Sequence, residues 1–292
     1  MGRIEVTEFT DSGCPWAYSA SPALAVLLWR YGDQLDWRTV MIGLAEDGAV
    51  YVDRGYTPTR AALGSLMFKR FGMPFLRSPR ERVLATYPGC RTVIATRRLF
   101  PELERHVLRS IQFAWFNTDL LLDEPAALRT AISRVEGLDA DAVIAAIDDP
   151  ETEAAFMADR EMTRQAQGGP TEFQGKARQT DGPVRYSAPS LIFTAQDGRR
   201  LEAGGFQSIE AYDVCIANLD TSLERRPPAE DPVQALNAFG YPLATQEVAA
   251  VMTHNNMPVD HLAAESALIE ALGEGRVERI ALGDDALWRP AA

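Results

Sequence analysis

The sequence predicts an α/β fold with an all-helical insertion. Residues 3–10 alternate apolar and polar side chains as a first strand, residues 15–31 have helical periodicity, and residues 35–44 alternate again as a second strand. A strand–helix–strand unit of this kind implies parallel pairing and a right-handed crossover. The pattern over 57–170 is helical, and strands return only after it. We therefore expect a small sheet whose two halves are separated in sequence by a helical block.

The composition is that of an acidic globular protein. A hydrophobic content of 46% and a charged content of 24% are ordinary for such proteins, and 292 residues allow one or two domains. The net charge of −12 argues against nucleic acid or an anionic membrane as a partner, because both require a basic face. No run approaches the roughly 18 apolar residues of a membrane helix, and the first residues contain no apolar signal core. We expect a cytoplasmic protein.

The cysteines suggest reactivity rather than cross-linking. Cys14, Cys90 and Cys215 are an odd set and lie far apart, so they do not form a disulfide framework. No Cys/His spacing is typical of zinc, and we expect no metal site.

Cys14 lies where the first strand passes into the first helix. Pro15 fits the first helical position, where its missing N–H costs nothing. Unpaired N–H groups and the positive end of the helix dipole stabilise a thiolate at that point. The sequence therefore predicts a catalytic cysteine with a lowered pKa, and the alternative is a buried structural cysteine.

Several features occur in the order found in one known family. Cys14-Pro15-Trp16 follows a first strand, Pro22 lies eight residues later, the helical block comes next, and Ala188-Pro189 opens a later strand. Over about residues 3–224 the chain resembles the DsbA-like branch of the thioredoxin superfamily, most closely FrnE-type proteins and 2-hydroxychromene-2-carboxylate isomerases. The resemblance implies a thioredoxin fold in which Pro189 follows a cis peptide bond and faces Cys14.

Ala17 departs from this pattern, because the family's oxidoreductases have a second cysteine there. That second thiol resolves mixed disulfides quickly, and alanine cannot. Three hypotheses follow. The first is a thiol–disulfide oxidoreductase in which Cys14 acts alone or is resolved by another thiol. The second is an isomerase or transferase that uses glutathione. The third is a binding module without catalysis. The resemblance implies no covalent cofactor, names glutathione or another low-molecular-weight thiol as the candidate partner, and assigns no cofactor-binding residue.

Cys90 is the candidate internal resolving thiol. It lies at the start of a predicted helix, which in FrnE-type proteins lies over the active-site helix. A disulfide with Cys14 requires Cα atoms within about 7 Å, and the alternative is a free cysteine at a helix terminus. Cys215 lies on an apolar helix face and is predicted to be core.

The candidate substrate-binding residues flank the thiol and the proline: Trp16, Tyr18, Tyr186, Ala188 and Pro189. Trp16 is expected to wall an apolar groove, the alternative being that it and Tyr18 pack inside the protein. The hydroxyl of Tyr186 and the charge of Arg185 are candidates to bind a substrate carboxylate. The backbone of Ala188 would pair with an extended peptide or with glutathione.

The helices and strands after the second strand are predicted from helix caps, turn residues and apolar periodicity. The predicted helices are 57–71, 90–100, 101–116, 124–137, 139–147, 150–167 and, after the insertion, 209–223. A loop is expected over 168–183, a proline-interrupted strand over 184–193, and a hairpin turn at Asp197-Gly198 before a strand over 200–203.

Three units are predicted: a thioredoxin-like domain of residues 1–56 and 171–225, a helical insertion domain of residues 57–170, and an acidic C-terminal α+β module of residues 226–292 after a linker at 225–228. The module's helices over 245–253 and 258–272 and its strands over 277–282 and 286–288 resemble a winged helix. Residues 227–292 contain three arginines, no lysine and ten acidic residues, which argues against DNA binding. We expect a packing or dimerisation module, and a homodimer is one expectation.

Overall fold

The computed structural model describes residues 4–179 and 182–291. In this part of the chain the main sheet has the strand order β2-β1-β3-β4. Its strands are β1 (Ile4–Thr10), β2 (Leu35–Met41), β3 (Ser190–Thr194) and β4 (Arg200–Gly204). β1 pairs in parallel with β2 and antiparallel with β3, so the predicted strand–helix–strand unit is confirmed.

The crossover between the first two strands consists of two helices, α1 (Pro15–Ser19) and α2 (Ser21–Tyr31). They separate at Ala20 because Pro22 has no N–H to donate to the carbonyl of Tyr18. The predicted interruption at Pro22 is confirmed, as a break between two helices. As a result α1 is a single short turn that begins directly behind Cys14.

The insertion consists of helices with short connections. They are α3 (Ala49–Val52), α4 (Pro58–Phe68), α5 (Tyr87–Leu99), α6 (Glu104–Asn117), α7 (Pro125–Ile132), α8 (Ala140–Ala145), α9 (Pro150–Thr163) and α10 (Pro170–Phe173). Two of the predicted helix caps form side-chain hydrogen bonds: Thr57 accepts one from the N–H of Arg60 at 3.1 Å, and Asp139 accepts one from Ala142 at 3.0 Å. α3 and α10 were not predicted, because a single turn is too short to show periodicity.

Asp159 on α9 joins the insertion to the sheet. Its buried carboxylate accepts the N–H of Met41 at 2.8 Å and two hydrogen bonds from Arg97 at 3.0 Å. Arg97 also donates to the carbonyl of Thr39 at 2.8 Å. The insertion and β2 are therefore held together by charge-assisted bonds as well as by apolar packing.

The strand predicted over 184–193 is shorter than expected. β3 begins only at Ser190, because Pro189 has no N–H for the ladder. Before it, Arg178 and Arg185 form an isolated antiparallel bridge. The hairpin turn is confirmed: Gly198 has a positive φ of 85°, and Asp197 accepts the N–H of Arg199 at 3.0 Å. α11 (Ile209–Leu219) then closes this part of the chain.

The C-terminal module contains the predicted helices and hairpin. Its elements are α12 (Pro232–Leu236), β5 (Leu243–Ala244), α13 (Thr245–Val251), α14 (His261–Gly273), β6 (Val277–Leu282) and β7 (Asp285–Pro290), with strand order β5-β7-β6. Trp288 is fully buried, and its indole N–H donates to Thr245 at 2.9 Å. The likeness to a winged helix stays a prediction.

The module shares a core with α2, where Ala25, Val26 and Trp29 belong to the same apolar cluster as Trp288. The segment predicted as a linker is packed on the same helix, since Trp29 donates to the carbonyl of Pro227 at 2.8 Å. The predicted division into three units stays a prediction.

Candidate active site

Cys14 occupies the cap position of α1. Its backbone is extended, with φ −84° and ψ 114°, and Pro15 follows at the first helical position. The turn before it is held by Asp11, whose carboxylate accepts the N–H of Gly13 at 2.9 Å. This is the strand-to-helix position that the sequence predicted.

The loop before β3 faces the thiol. The peptide bond between Ala188 and Pro189 is cis, as predicted. Cys14 Sγ donates a hydrogen bond to the carbonyl oxygen of Ala188 at 3.4 Å. The cysteine and the proline loop, 174 positions apart, therefore form one site.

The predicted lowering of the Cys14 pKa is wrong. Burial, with only 5% of the residue exposed, is the main reason that the pKa of the thiol is raised to about 12, and the charge of Asp11 contributes in the same direction. The N–H groups of Ala17 and Trp16 act in the opposite direction, as does the charge of Arg185. The helix terminus is present, but burial disfavours the thiolate more strongly than the N–H groups favour it. In this buried position Cys14 is therefore a neutral thiol at neutral pH.

This pKa has a measurable consequence. Alkylation of Cys14 by iodoacetamide is expected to keep accelerating beyond about pH 9.5, where a free thiol with a pKa of about 8.5 is almost fully ionised and its rate levels off, because the thiolate is the reactive form. The rate is followed by mass spectrometry on folded protein, with Cys14→Ser reporting the background from the other cysteines. A plateau at or below about pH 9.5 would contradict the raised pKa.

Cys90 lies in the first turn of α5 and is fully buried. Its Sγ lies 3.4 Å from Oδ2 of Asp11 and 3.6 Å from the hydroxyl of Ser12, whereas Cys14 bonds to Ala188. Burial raises the pKa of Cys90 well above its usual range. No disulfide joins the cysteines, and this setting does not favour the predicted resolving role of Cys90.

Trp16 forms the open side of the site. Its ring is 36% exposed and lies 4.9 Å from Phe68, 5.8 Å from Phe71 and 5.7 Å from Phe206, between centroids. Arg70 lies 4.8 Å from the Phe71 ring. An aromatic wall with a cation beside it suits a substrate that has an apolar part and a negative charge.

Comparison with known proteins identifies this architecture. No family model and no curated protein matches the sequence, whereas solved structures do. A protein from Nitrosomonas europaea, provisionally named a protein disulfide isomerase, has a TM-score of 0.56 at 16% identity, covering 74% of this chain and 97% of its own. A probable DsbA oxidoreductase from Streptomyces coelicolor has a TM-score of 0.54 at 16% identity, covering 78% and 93%. The chain has a DsbA-like thioredoxin fold.

The cytosolic disulfide reductase DsbM from Pseudomonas aeruginosa is also similar, at 22% identity over 74% of this chain and 97% of its own. Its TM-score of 0.49 supports no further conclusion. At these identities the comparisons establish the DsbA-like fold, and function has to be argued from the site.

The structure does not favour the predicted substrate-binding roles of Tyr18 and Tyr186. Both rings are buried. The Tyr18 hydroxyl donates to the carbonyl of Pro74 at 3.1 Å and accepts from Asn117 at 3.0 Å. These internal partners use the polar end of Tyr18, so the side chain serves packing.

The ring of Tyr186 stacks on Phe9 at 4.4 Å. Its hydroxyl donates to Glu202 at 3.2 Å and accepts from Arg200 at 2.7 Å. Both ends of the Tyr186 side chain therefore have partners inside the protein. The predictions for Trp16, Ala188 and Pro189 concern residues at the site, and their roles in binding stay proposals.

Sequence reasoning missed several residues near the site. Burial raises the pKa of Tyr51 on α3, and the charge of Asp11 raises it as well. Phe71 and Phe206 were missed as well. The sequence signal that could have identified Phe206 is the preceding Gly205, whose positive φ of 72° marks a turn.

A cleft of about 540 Å³ lies beside α3, lined among others by Asp47, Val52, Arg82 and Asp123, but not by Cys14. Within 4–179 and 182–291, no group of three or more His, Cys, Asp or Glu residues is arranged to hold a metal ion. No helix in those ranges has the length and apolar content to cross a bilayer.

Proposed function

We propose that this protein catalyses thiol–disulfide exchange through Cys14 alone, with glutathione or another low-molecular-weight thiol as the second reactant. The observation that carries the proposal is the 3.4 Å contact between Cys14 Sγ and the carbonyl that precedes Pro189, with the sulfur at a helix start. A disulfide bound along this loop would present a sulfur atom to Cys14.

The reaction has two balanced steps. The Cys14 thiolate attacks one sulfur of a substrate disulfide, the S–S bond breaks, and the other half leaves as a thiolate while a mixed disulfide forms. A glutathione thiolate then attacks the substrate sulfur of that mixed disulfide. Cys14 leaves as a thiolate, and the two outside thiols are joined.

The setting of the other candidate thiols favours an external thiol for the second step. Ala17 has no sulfur, and Cys90 is bonded to Asp11 and Ser12. Cys215 on α11 packs against a different apolar cluster from Cys14. A small thiol suits a sulfur that is only slightly exposed, and a reducing compartment such as the cytoplasm would supply it.

The raised pKa imposes a condition on this proposal. At neutral pH the buried thiol is protonated, so exchange requires a movement that wets Cys14 and allows the N–H groups of Trp16 and Ala17 to stabilise the thiolate. Displacement by substrate of the apolar side chains packed with Cys14 would meet that condition.

Treatment with glutathione disulfide tests the proposal. Intact mass and peptide mapping are expected to find one glutathione per chain, on Cys14. Cys14→Ser should lose the adduct, and Cys215→Ser, a matched loss of one partly buried thiol, should keep it. An adduct that persists in Cys14→Ser, or a disulfide between Cys14 and Cys90, would refute the monothiol proposal.

The protonation state of Cys14 and the aromatic wall favour a second candidate, a glutathione-dependent isomerase or transferase. A neutral Cys14 thiol can donate a hydrogen bond to a bound glutathione, and the wall formed by Trp16, Phe71 and Phe206 suits an aromatic substrate. Here glutathione would bind reversibly without a covalent adduct. If glutathione neither binds nor forms an adduct, the third hypothesis remains, a binding module without catalysis.

A further inference from the structure

An unpartnered apolar stripe runs along α4. Leu63, Leu66 and Met67 are exposed, Leu63 by 60%, and their spacing of three and four residues puts them on one side of the helix. We call these three residues the α4 face. Val52 and Tyr56, just before the helix, are exposed too. Clustered apolar surface of this kind marks an interaction site more often than single exposed residues do.

The α4 face has a basic border in an acidic protein. Residues 49–71 contain one acidic and four basic side chains, although the whole chain has a net charge of −12. Among residues 4–179 and 182–291, no carboxylate lies in salt-bridge range of Arg54, Arg60 or Arg70. A partner for this face needs apolar side chains bordered by negative charge.

α14 in the C-terminal module has those properties. Leu262, Ile269 and Leu272 are exposed, Leu262 by 72%, and line the outer side of the helix. We call these three residues the α14 face. Glu265 and Glu270 border it, and neither has a basic partner within salt-bridge range in the described part of the chain.

The segments that carry the two faces meet at one point in the molecule. Gly72, which follows the turn after α4, packs against the side chain of Gln246, so that a Cβ there would overlap it. The amide oxygen of Gln246 lies 2.9 Å from Nδ1 of His261, the first residue of α14. Gln246 therefore contacts both the end of the α4 segment and the start of α14.

We infer that this combined surface joins two copies of the chain in a symmetric dimer. A surface with an apolar, basic half and an apolar, acidic half is complementary to itself under a two-fold rotation. The α4 face of each copy then contacts the α14 face of the other, and both contacts match in charge and in apolar character. Phe68 at the end of α4 touches Trp16, so the interface borders the groove beside Cys14. This inference does not depend on the proposed function.

Charge reversal tests the dimer on the full chain by sedimentation equilibrium. The protein is expected to be dimeric, and Arg60→Glu with Arg70→Glu should weaken dimerisation at least ~10-fold, as should Glu265→Arg with Glu270→Arg. Mixing the two double variants should restore pairing, because each helix then meets the opposite charge at both contacts. Arg134→Glu, a reversal at an exposed site away from both faces, is the matched control.

Two results would overturn the inference. One is a wild-type chain that is still monomeric at about 100 μM, because a dimer with so high a dissociation constant is too weak to be functional. The other is a dimer that neither double variant affects. In the first case, capture of an acidic, apolar helix from another protein would identify that protein as the occupant instead of a second copy.

Discussion

Introducing a second thiol by Ala17→Cys is expected to convert the site into a dithiol oxidoreductase. Ala17 is buried one turn beyond Cys14, and its N–H is one of the groups that favour the thiolate. A thiol at that position would attack the mixed disulfide from within the molecule, which is faster than resolution by an outside thiol. We expect insulin-disulfide reduction with dithiothreitol to rise ~10-fold or more, and an internal disulfide to form on oxidation.

Ala17→Ser is the matched control, because its hydroxyl oxygen takes the position of the introduced cysteine sulfur but is not a thiol. It should leave the insulin activity at the level of the natural sequence. If Ala17→Cys neither forms the disulfide nor raises the rate, Cys14 is not placed for exchange, and the proposed function loses its geometric support.

Breaking the buried ion pair between α6 and α13 is expected to cause the largest loss of stability. Arg109 donates to both carboxylate oxygens of Glu247, at 2.6 and 2.8 Å, and Glu247 is fully buried. Glu247→Ala would leave the Arg109 guanidinium buried without its counter-charge. Such losses cost about 3–5 kcal/mol of the free energy of unfolding, a large part of the usual total.

Urea denaturation would measure this loss. Asp141→Ala, which removes a carboxylate from the fully exposed pair with Arg129, is the control and should change the stability little. The double variant Arg109→Met with Glu247→Leu should recover much of the loss, because apolar replacement removes both charges together. If Glu247→Ala matches the exposed control, the pair does not hold the C-terminal module to the insertion.

The local chemistry of the chain made much of the fold predictable. Pro15 and Pro22 fixed where α1 begins and where α2 separates from it, and Asp139 fixed the start of α8, because caps and prolines act within a few residues. The cis bond before Pro189 was predicted from a family resemblance, since cis is a minority state for such bonds and no local pattern identifies it.

The errors at the site arose from tertiary packing. The N-terminus of α1 suggested a lowered pKa for Cys14, but burial of the sulfur raises it, and the side chains packed there, such as Tyr186 and Ile192, come from distant parts of the sequence. Tyr18 and Tyr186 looked available because they flank the motifs. Their internal partners, Asn117 and Glu202, lie far away in sequence.

The central claim is that Cys14 exchanges with a thiol from outside the protein. The most direct test is the rate at which glutathione releases the mixed disulfide from Cys14, measured at several glutathione concentrations. We predict a rate proportional to the glutathione concentration with an intercept of zero, and no change in Cys90→Ser. A release rate that persists without glutathione and disappears in Cys90→Ser would show that an internal thiol resolves Cys14, and would contradict the claim.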